Sequence, residues 1–188
     1  MVKHKLDVRQ AYKEGDFAEY LYDLTNKYYG ISLTSATVEQ DCSGIDRIKD
    51  KKEIDIKSRK GRKPPHMVWI ELSAAEKNIG TGWAYKDKYT AQMMVYENNK
   101  FVNDVIFGEF YNPDLVENVL KNKVDFDSRV SVQTLYKVYT RISYGKHRGD
   151  MTLVNYEDLE SLESFKRFDV PREYWQLVVD FYEYKGIL

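Results

Sequence analysis

Only one cysteine, Cys42, occurs in the chain, which excludes an intramolecular disulfide and any zinc site built on cysteine pairs. Histidine is nearly as scarce. His4, His66 and His147 are scattered without ligand spacing, so neither a histidine-bound metal nor a Ser-His-Asp hydrolase has support. No glycine-rich run of the kind that cradles phosphates is present, which leaves nucleotide hydrolysis and a nucleotide cofactor without footing. No apolar stretch approaches the roughly 20 residues that cross a bilayer, so no membrane association is expected. The opening MVKHKLDVRQ has no apolar signal core, and the expected location is cytoplasmic. There Cys42 is expected as a small, half-buried, reduced thiol. The chain also lacks internal repeats and low-complexity tracts.

What is present suffices for one sizeable core, since 43% of the 188 residues are hydrophobic. The chain reads as one domain, with its core over about 15–125 and the strands and helices of 126–188 packed on it. Net charge is −1 and argues against a uniformly basic coat. Its distribution is uneven. Residues 47–63 hold nine Lys or Arg against three acids, a local charge of +6, which leaves −7 for the remainder. Such a concentration suits a phosphate-binding surface or a solvated basic loop. The 16 tyrosines suit half-buried strands and base stacking alike.

Residues 44–60, GIDRIKDKKEIDIKSRK, contain two alternating runs around a charged turn and predict a β-hairpin. Ile54 and Ile56 then face the core while Asp55 and Lys57 face the other way. With the turn centred on Asp50 and Lys51, Asp46 falls opposite Asp55, their Cβ atoms about 4.5 to 5.5 Å apart. Two carboxylates so placed repel unless a cation lies between them, and a divalent cation with oxygen ligands meets that need. Lys57 adds a fixed positive charge on the same face.

The constellation Asp46, then Asp55-Ile56-Lys57, resembles the signature of the PD-(D/E)XK nuclease superfamily, although Ile45 stands where the eponymous proline would be. The resemblance covers the order of elements over about 15–96. It implies an α/β domain with a restriction-endonuclease-like central mixed sheet flanked by helices, and Mg²⁺-dependent hydrolysis of DNA phosphodiester bonds, with Mn²⁺ as a substitute. In that reading Asp46, Asp55 and the main-chain carbonyl of Ile56 bind the metal, while Lys57 positions the attacking water. Glu19, in the segment Gly-Asp-Phe-Ala-Glu, would reach the metal through water. It is equally the third-position partner of a capping box begun by Asp16. Glu71 is a secondary metal candidate, and Arg47, Arg59, Lys60, Arg62 and Lys63 are candidate DNA contacts. The same resemblance admits a catalytically silent relative that binds DNA or a partner protein.

Along the rest of the chain, 8–12 predicts a short helix and 17–28 a clear one ending at Gly30. Residues 31–41 lead into the hairpin, with Asp41 a strand or loop residue. Residues 67–72 form a strand with Val68, Ile70 and Leu72 on one face. Two further strands meet at Asn98-Asn99. Gln92 and Tyr96 match the spacing of a QxxxY element that the resembling exonucleases carry on a helix, but this segment reads as strand. Trp83, Lys86 and Lys88 are open to contact with DNA, with a packed indole and solvated lysines as the default reading. A helix over 114–120 is capped by Asn112 and begun by Pro113. Alternating strands occupy 129–154, where Lys137, Arg141, Lys146 and Arg148 are either a second phosphate-contacting patch or, the better reading residue by residue, ordinary surface charge. A short helix follows near 157–162. The final helix, introduced by Asp169 and Pro171, carries Tyr174, Trp175, Val178, Phe181 and Tyr182 as one stripe, a core face or a homodimer face.

Overall fold

The alternation of β5 (Tyr89–Asn98) explains the layering of the molecule. Ala91, Met93 and Val95 belong to one buried cluster and Met94 to another, because successive side chains leave a strand on opposite faces. A strand covered on both sides reads as a continuous apolar run, and Met93-Met94-Val95 is one. The structure, a computed structural model, describes residues 17–58, 66–74, 78–98, 101–131, 138–143 and 149–186.

The first sheet is mixed and six-stranded. Its order is β1 (Thr34–Ser35), β2 (Arg47–Lys49), β3 (Lys52–Lys57), β5, β6 (Phe101–Tyr111) and β10 (Lys166–Asp169). Only β3 and β5 run parallel in it. The second sheet, also mixed, orders β4 (Met67–Glu71), β9 (Asp150–Asn155), β8 (Thr140–Ser143) and β7 (Asp125–Ser131).

Helices α1 (Phe17–Tyr28) and α6 (Trp175–Tyr184) cover one face of the first sheet. Phe17, Leu21 and Tyr22 of α1 meet Val178, Phe181 and Tyr182 of α6 over Ile54 and Ile56 of β3, and the Phe17 and Phe181 rings stack at 4.3 Å. The stripe on the last helix is therefore a core face. Val68 and Ile70 of β4 and a helical segment cover the other face, against Met94, Ile106 and Phe110. That segment begins as α3 (Asn112–Leu115), widens to a π turn at Val116–Leu120 and closes as α4 (Lys121–Lys123). An α/β fold with a mixed sheet flanked by helices is thus present, with a second sheet on one flank.

Several local expectations are revised. Asp41 lies in a short helix, α2 (Val38–Cys42), because Thr37 and Gln40 form a reciprocal capping box, and Cys42 is exposed rather than half-buried. Asn112 is the first helical residue, not the cap. Its side chain is buried, accepts from Thr90 Oγ1 at 2.7 Å and donates to the Trp83 carbonyl at 3.0 Å. Strand β10 is an element beyond those the sequence predicts. The short helix α5 (Tyr156–Glu160) lies one residue ahead of its expected start. Arg141 does not stand free in a basic patch, because Arg141 and Arg129 both pair with the buried Asp150. Lys137, Lys146, Arg148, Asp16 and the predicted 8–12 helix lie outside the described residues. No helix among the described residues is long and apolar enough to cross a membrane.

Candidate functional site

Asp50 and Lys51 have φ of 49° and 66° and so make the two-residue turn that joins β2 to β3. Arg47 pairs with Ile54, Ile48 with Glu53 and Lys49 with Lys52, the expected register. The ladder then slips by one residue. The Asp46 amide donates at 2.9 Å to the carbonyl of Ile54, which Arg47 already faces. Asp46 is therefore not squarely opposite Asp55. A slip of this kind re-aims a side chain, and the Asp46 carboxylate turns along the strand to accept the Ile56 amide at 2.6 Å. A strand residue presents its N–H and C=O to the same neighbour, so the Ile56 carbonyl faces the Asp46 side as well.

Asp46 and Asp55 still meet. Burial, chiefly, and the neighbouring Asp55 carboxylate hold the Asp46 carboxyl above its ordinary value, against the opposite pull of the Ile56 amide and of Lys57. Asp55 is 1% exposed. Its Oδ1 rests against the Lys57 ammonium and its Oδ2 lies 2.6 Å from the Lys88 ammonium. The hairpin face that carries Asp55 is thus covered.

Lys88, which the sequence places among solvated lysines, is 5% exposed. Besides Asp55, its ammonium donates to the carbonyl of Gly44, and Lys86 donates to the carbonyl of Ser43 at 3.0 Å. The turn at residue 44 favours glycine because its φ is +77°, and a Cβ there would stand 3.2 Å from the Lys88 ammonium. Burial lowers the Lys88 pKa from its ordinary value, Asp55 opposes that shift, and Lys57 and Lys86 reinforce it. In the parallel register Asp55 lies beside Thr90 and Lys57 beside Gln92, so Asp55, Lys57, Thr90 and Gln92 share one face. Gln92 is buried on a strand, and the Tyr96 hydroxyl goes to Glu160.

The remaining expected residues fall elsewhere. Glu19 lines a cavity of about 190 Å³ together with Asp46, Asp41 and Arg47, but its carboxylate sits 3.2 Å from the Arg47 guanidinium. Arg47 is not poised for phosphate. Its guanidinium grips Asp23 through two bonds of 2.8 and 2.7 Å and the Asp46 carbonyl at 2.7 Å, tying α1 to β2. Glu71 belongs to the second sheet, and its carboxylate accepts the Trp83 amide at 3.1 Å at the start of a 3₁₀ turn. Arg59, Lys60, Arg62 and Lys63 lie outside the described residues.

Two carboxylates are donors of the hard-oxygen kind that Mg²⁺ takes, but both oxygens of Asp55 already face lysines and one oxygen of Asp46 accepts the Ile56 amide. No third carboxylate, histidine or cysteine joins them among the described residues. Comparison with protein-family models, with curated proteins and with solved structures found no match.

Proposed function

We propose that the Asp46, Asp55 and Lys57 cluster is the site of a Mg²⁺-dependent nuclease that hydrolyses DNA phosphodiester bonds, a member in mechanism of the PD-(D/E)XK class. The observation that carries this is the meeting of two acids, one of them 1% exposed, with Lys57 at the end of a hairpin. A carboxyl raised by burial and by a second carboxylate is an arrangement that destabilises a fold, and functional sites are where such arrangements collect. The local charge of +6 over 47–63 supplies attraction for a polyanion.

In this reading Asp46, Asp55 and the Ile56 carbonyl hold Mg²⁺. The bound ion supplies Lewis acidity and lowers the pKa of water, together worth several kcal/mol of barrier. Lys57 orients the attacking water and stabilises charge developing on the phosphate. Lys88 fixes the Asp55 carboxylate from behind, and the Ile56 amide fixes that of Asp46. Arg47 holds Glu19 and α1 against the hairpin, so Glu19 acts through position. A cytoplasmic setting accords with an exposed, unbridged Cys42.

The test is cleavage of linear and supercoiled DNA in Mg²⁺, Mn²⁺ and EDTA by the full chain and by Asp46→Asn and Lys57→Met. Metal-dependent cleavage that both variants lose supports the proposal. Cleavage that survives in Asp46→Asn refutes it. One observation favours a second reading, a silent relative that binds DNA without cutting it: both oxygens of Asp55 already face lysines. DNA binding with no cleavage, and no heat of Mg²⁺ binding in calorimetry, would select that reading.

A further inference from the structure

Asp150 is 2% exposed, and two arginines close on it. Its Oδ1 accepts from Arg129 Nε at 3.2 Å and Nη2 at 2.8 Å, and its Oδ2 accepts from Arg141 Nε. The acid is itself pinned. Its amide donates to Ser73 Oγ at 2.9 Å, and its carbonyl accepts the Leu72 and Ser73 amides at 2.8 and 3.2 Å. Arg129 of β7 and Arg141 of β8 are partners in the parallel register, on strands about 4.8 Å apart. Ser143, two residues beyond Arg141 and opposite Asp150, shares their face and accepts from Arg129 at 2.9 Å. Among the described residues Arg141 engages the protein through Nε alone, so both its Nη groups keep their donors.

We infer that Asp150, Arg129 and Arg141 form an anchor for one phosphodiester of a DNA backbone, a contact separate from the hairpin cluster. That the polymer is DNA rests on the nuclease reading above. Charge selects the class of phosphate. Two guanidiniums against one carboxylate leave a charge of +1, which balances the single charge of a phosphodiester and falls short of the roughly −1.5 to −2 of a phosphate monoester. An arginine fork pairs with two phosphate oxygens at once. Arg129 is exposed and Arg141 half-buried, which suits a polymer laid across a surface, whereas small ligands are enclosed in clefts. A buried ion group seldom stabilises a fold more than apolar packing would, so what Asp150 contributes is the fixed position of two guanidiniums. The anchor also adjoins the hairpin through the backbone. The Leu72 carbonyl accepts the Gly80 and Gly82 amides at 3.0 and 3.3 Å, at the head of the segment 82–88 that ends with Lys88 against Asp55. One loop therefore links the two places.

The test is fluorescence anisotropy of a short labelled DNA duplex against salt concentration, in EDTA so that neither metal nor cleavage enters. Arg141→Gln leaves Asp150 its bonds to Arg129 and should fold, as circular dichroism checks. It should bind about tenfold more weakly, with the slope of log affinity against log salt reduced by about one. Arg141→Lys keeps the charge and loses the fork, so affinity should fall at an unchanged slope. Lys166→Gln, on the edge strand β10 of the other sheet, should alter neither. An Arg141→Gln chain with wild-type affinity and slope overturns the inference and leaves the hairpin reading intact. An Arg141→Lys chain that matches wild type reduces the pair to diffuse charge and overturns it too, and this variant decides alone if Arg141→Gln does not fold. A phosphoserine peptide that displaces the duplex at equal phosphate concentration, or a wild-type chain that binds no duplex, also overturns it. Arg141-dependent binding by a chain that never cleaves DNA in Mg²⁺ upholds the anchor and removes only the nuclease reading.

Discussion

Replacing Asp46 by Asn should make the protein more stable and less active. The amide keeps an oxygen to accept the Ile56 N–H, which the carboxylate now accepts at 2.6 Å, and it gains an N–H₂ that can donate to Asp55. What it removes is repulsion. Two unit charges about 4 Å apart repel by about 4 kcal/mol at an effective dielectric constant near 20. The Lys57 ammonium on Asp55 offsets most of this, and the net gain on removing the Asp46 charge should be about 1 kcal/mol.

The sign of the pH dependence follows from the raised Asp46 pKa. A carboxyl whose pKa is higher in the folded chain binds more protons there, so stability falls as pH rises from the unfolded value through the folded one. Below the ordinary value of 3.8 the wild-type and Asp46→Asn chains should therefore match, and their difference should open through that window and persist at neutral pH. Urea denaturation in EDTA at acid and neutral pH measures this directly, with an unchanged m-value as the control. An Asp46→Asn chain that is weaker at neutral pH, or an advantage of equal size at acid pH, would refute the reasoning and make Asp46 an ordinary structural acceptor. Under the proposed nuclease function the same variant should lose Mg²⁺-dependent cleavage by about 100-fold or more, because it would remove a ligand of the ion that stabilises the transition state.

Three further outcomes follow from the same geometry. Asp55→Asn should cost about 3 kcal/mol, since it leaves the buried Lys88 ammonium without its carboxylate, and Lys88→Met should cost less, about 2 kcal/mol, since Asp55 keeps Lys57; the double variant recovers part of the loss. A coupling energy near zero in that cycle would show that the pair is not acting as a unit. Lys51→Gly should raise stability by about 1 kcal/mol, because the residue sits at φ 66° where a side chain is strained; a loss of stability in urea would contradict that. Arg47→Met should cost about 2 kcal/mol through its bonds to Asp23 and the Asp46 carbonyl, yet leave the salt dependence of DNA binding unchanged, whereas a slope reduced by about one would make it a phosphate contact after all.

The hairpin is legible in the sequence because its signals are local. Ile54 and Ile56 alternate with Asp55 and Lys57, and Asp50-Lys51 can make a two-residue turn, so the register of β2 and β3 follows from a few neighbouring residues. Helix α1 is legible for the same reason. The slip at Asp46 is not, because nothing in Ile45-Asp46-Arg47 distinguishes a continued ladder from one in which two residues face Ile54. Strand β10 is hidden as well. Lys166 to Asp169 carries one apolar residue, Phe168, and it becomes a strand only through pairing with β6.

Lys88 shows why the chemistry of a site is harder to read than its acids. In the run Tyr85-Lys86-Asp87-Lys88 every residue looks solvated, and no local pattern marks one lysine for burial. Its role appears only when β5 is laid parallel to β3, which places Thr90 beside Asp55 and Gln92 beside Lys57. The same parity then puts Lys88, two residues before Thr90, on the face of Asp55. A parallel pairing across more than thirty residues of sequence leaves no turn to announce it, whereas an antiparallel hairpin does. The acids therefore arrive by a local mechanism and their buried counter-charge by a non-local one. The ammonium of Lys88 can neutralise one carboxylate oxygen at that junction but cannot relieve the repulsion Asp46 feels from Asp55. That residual strain is what a bound cation would remove, and it is the physical support for the metal site proposed at that junction.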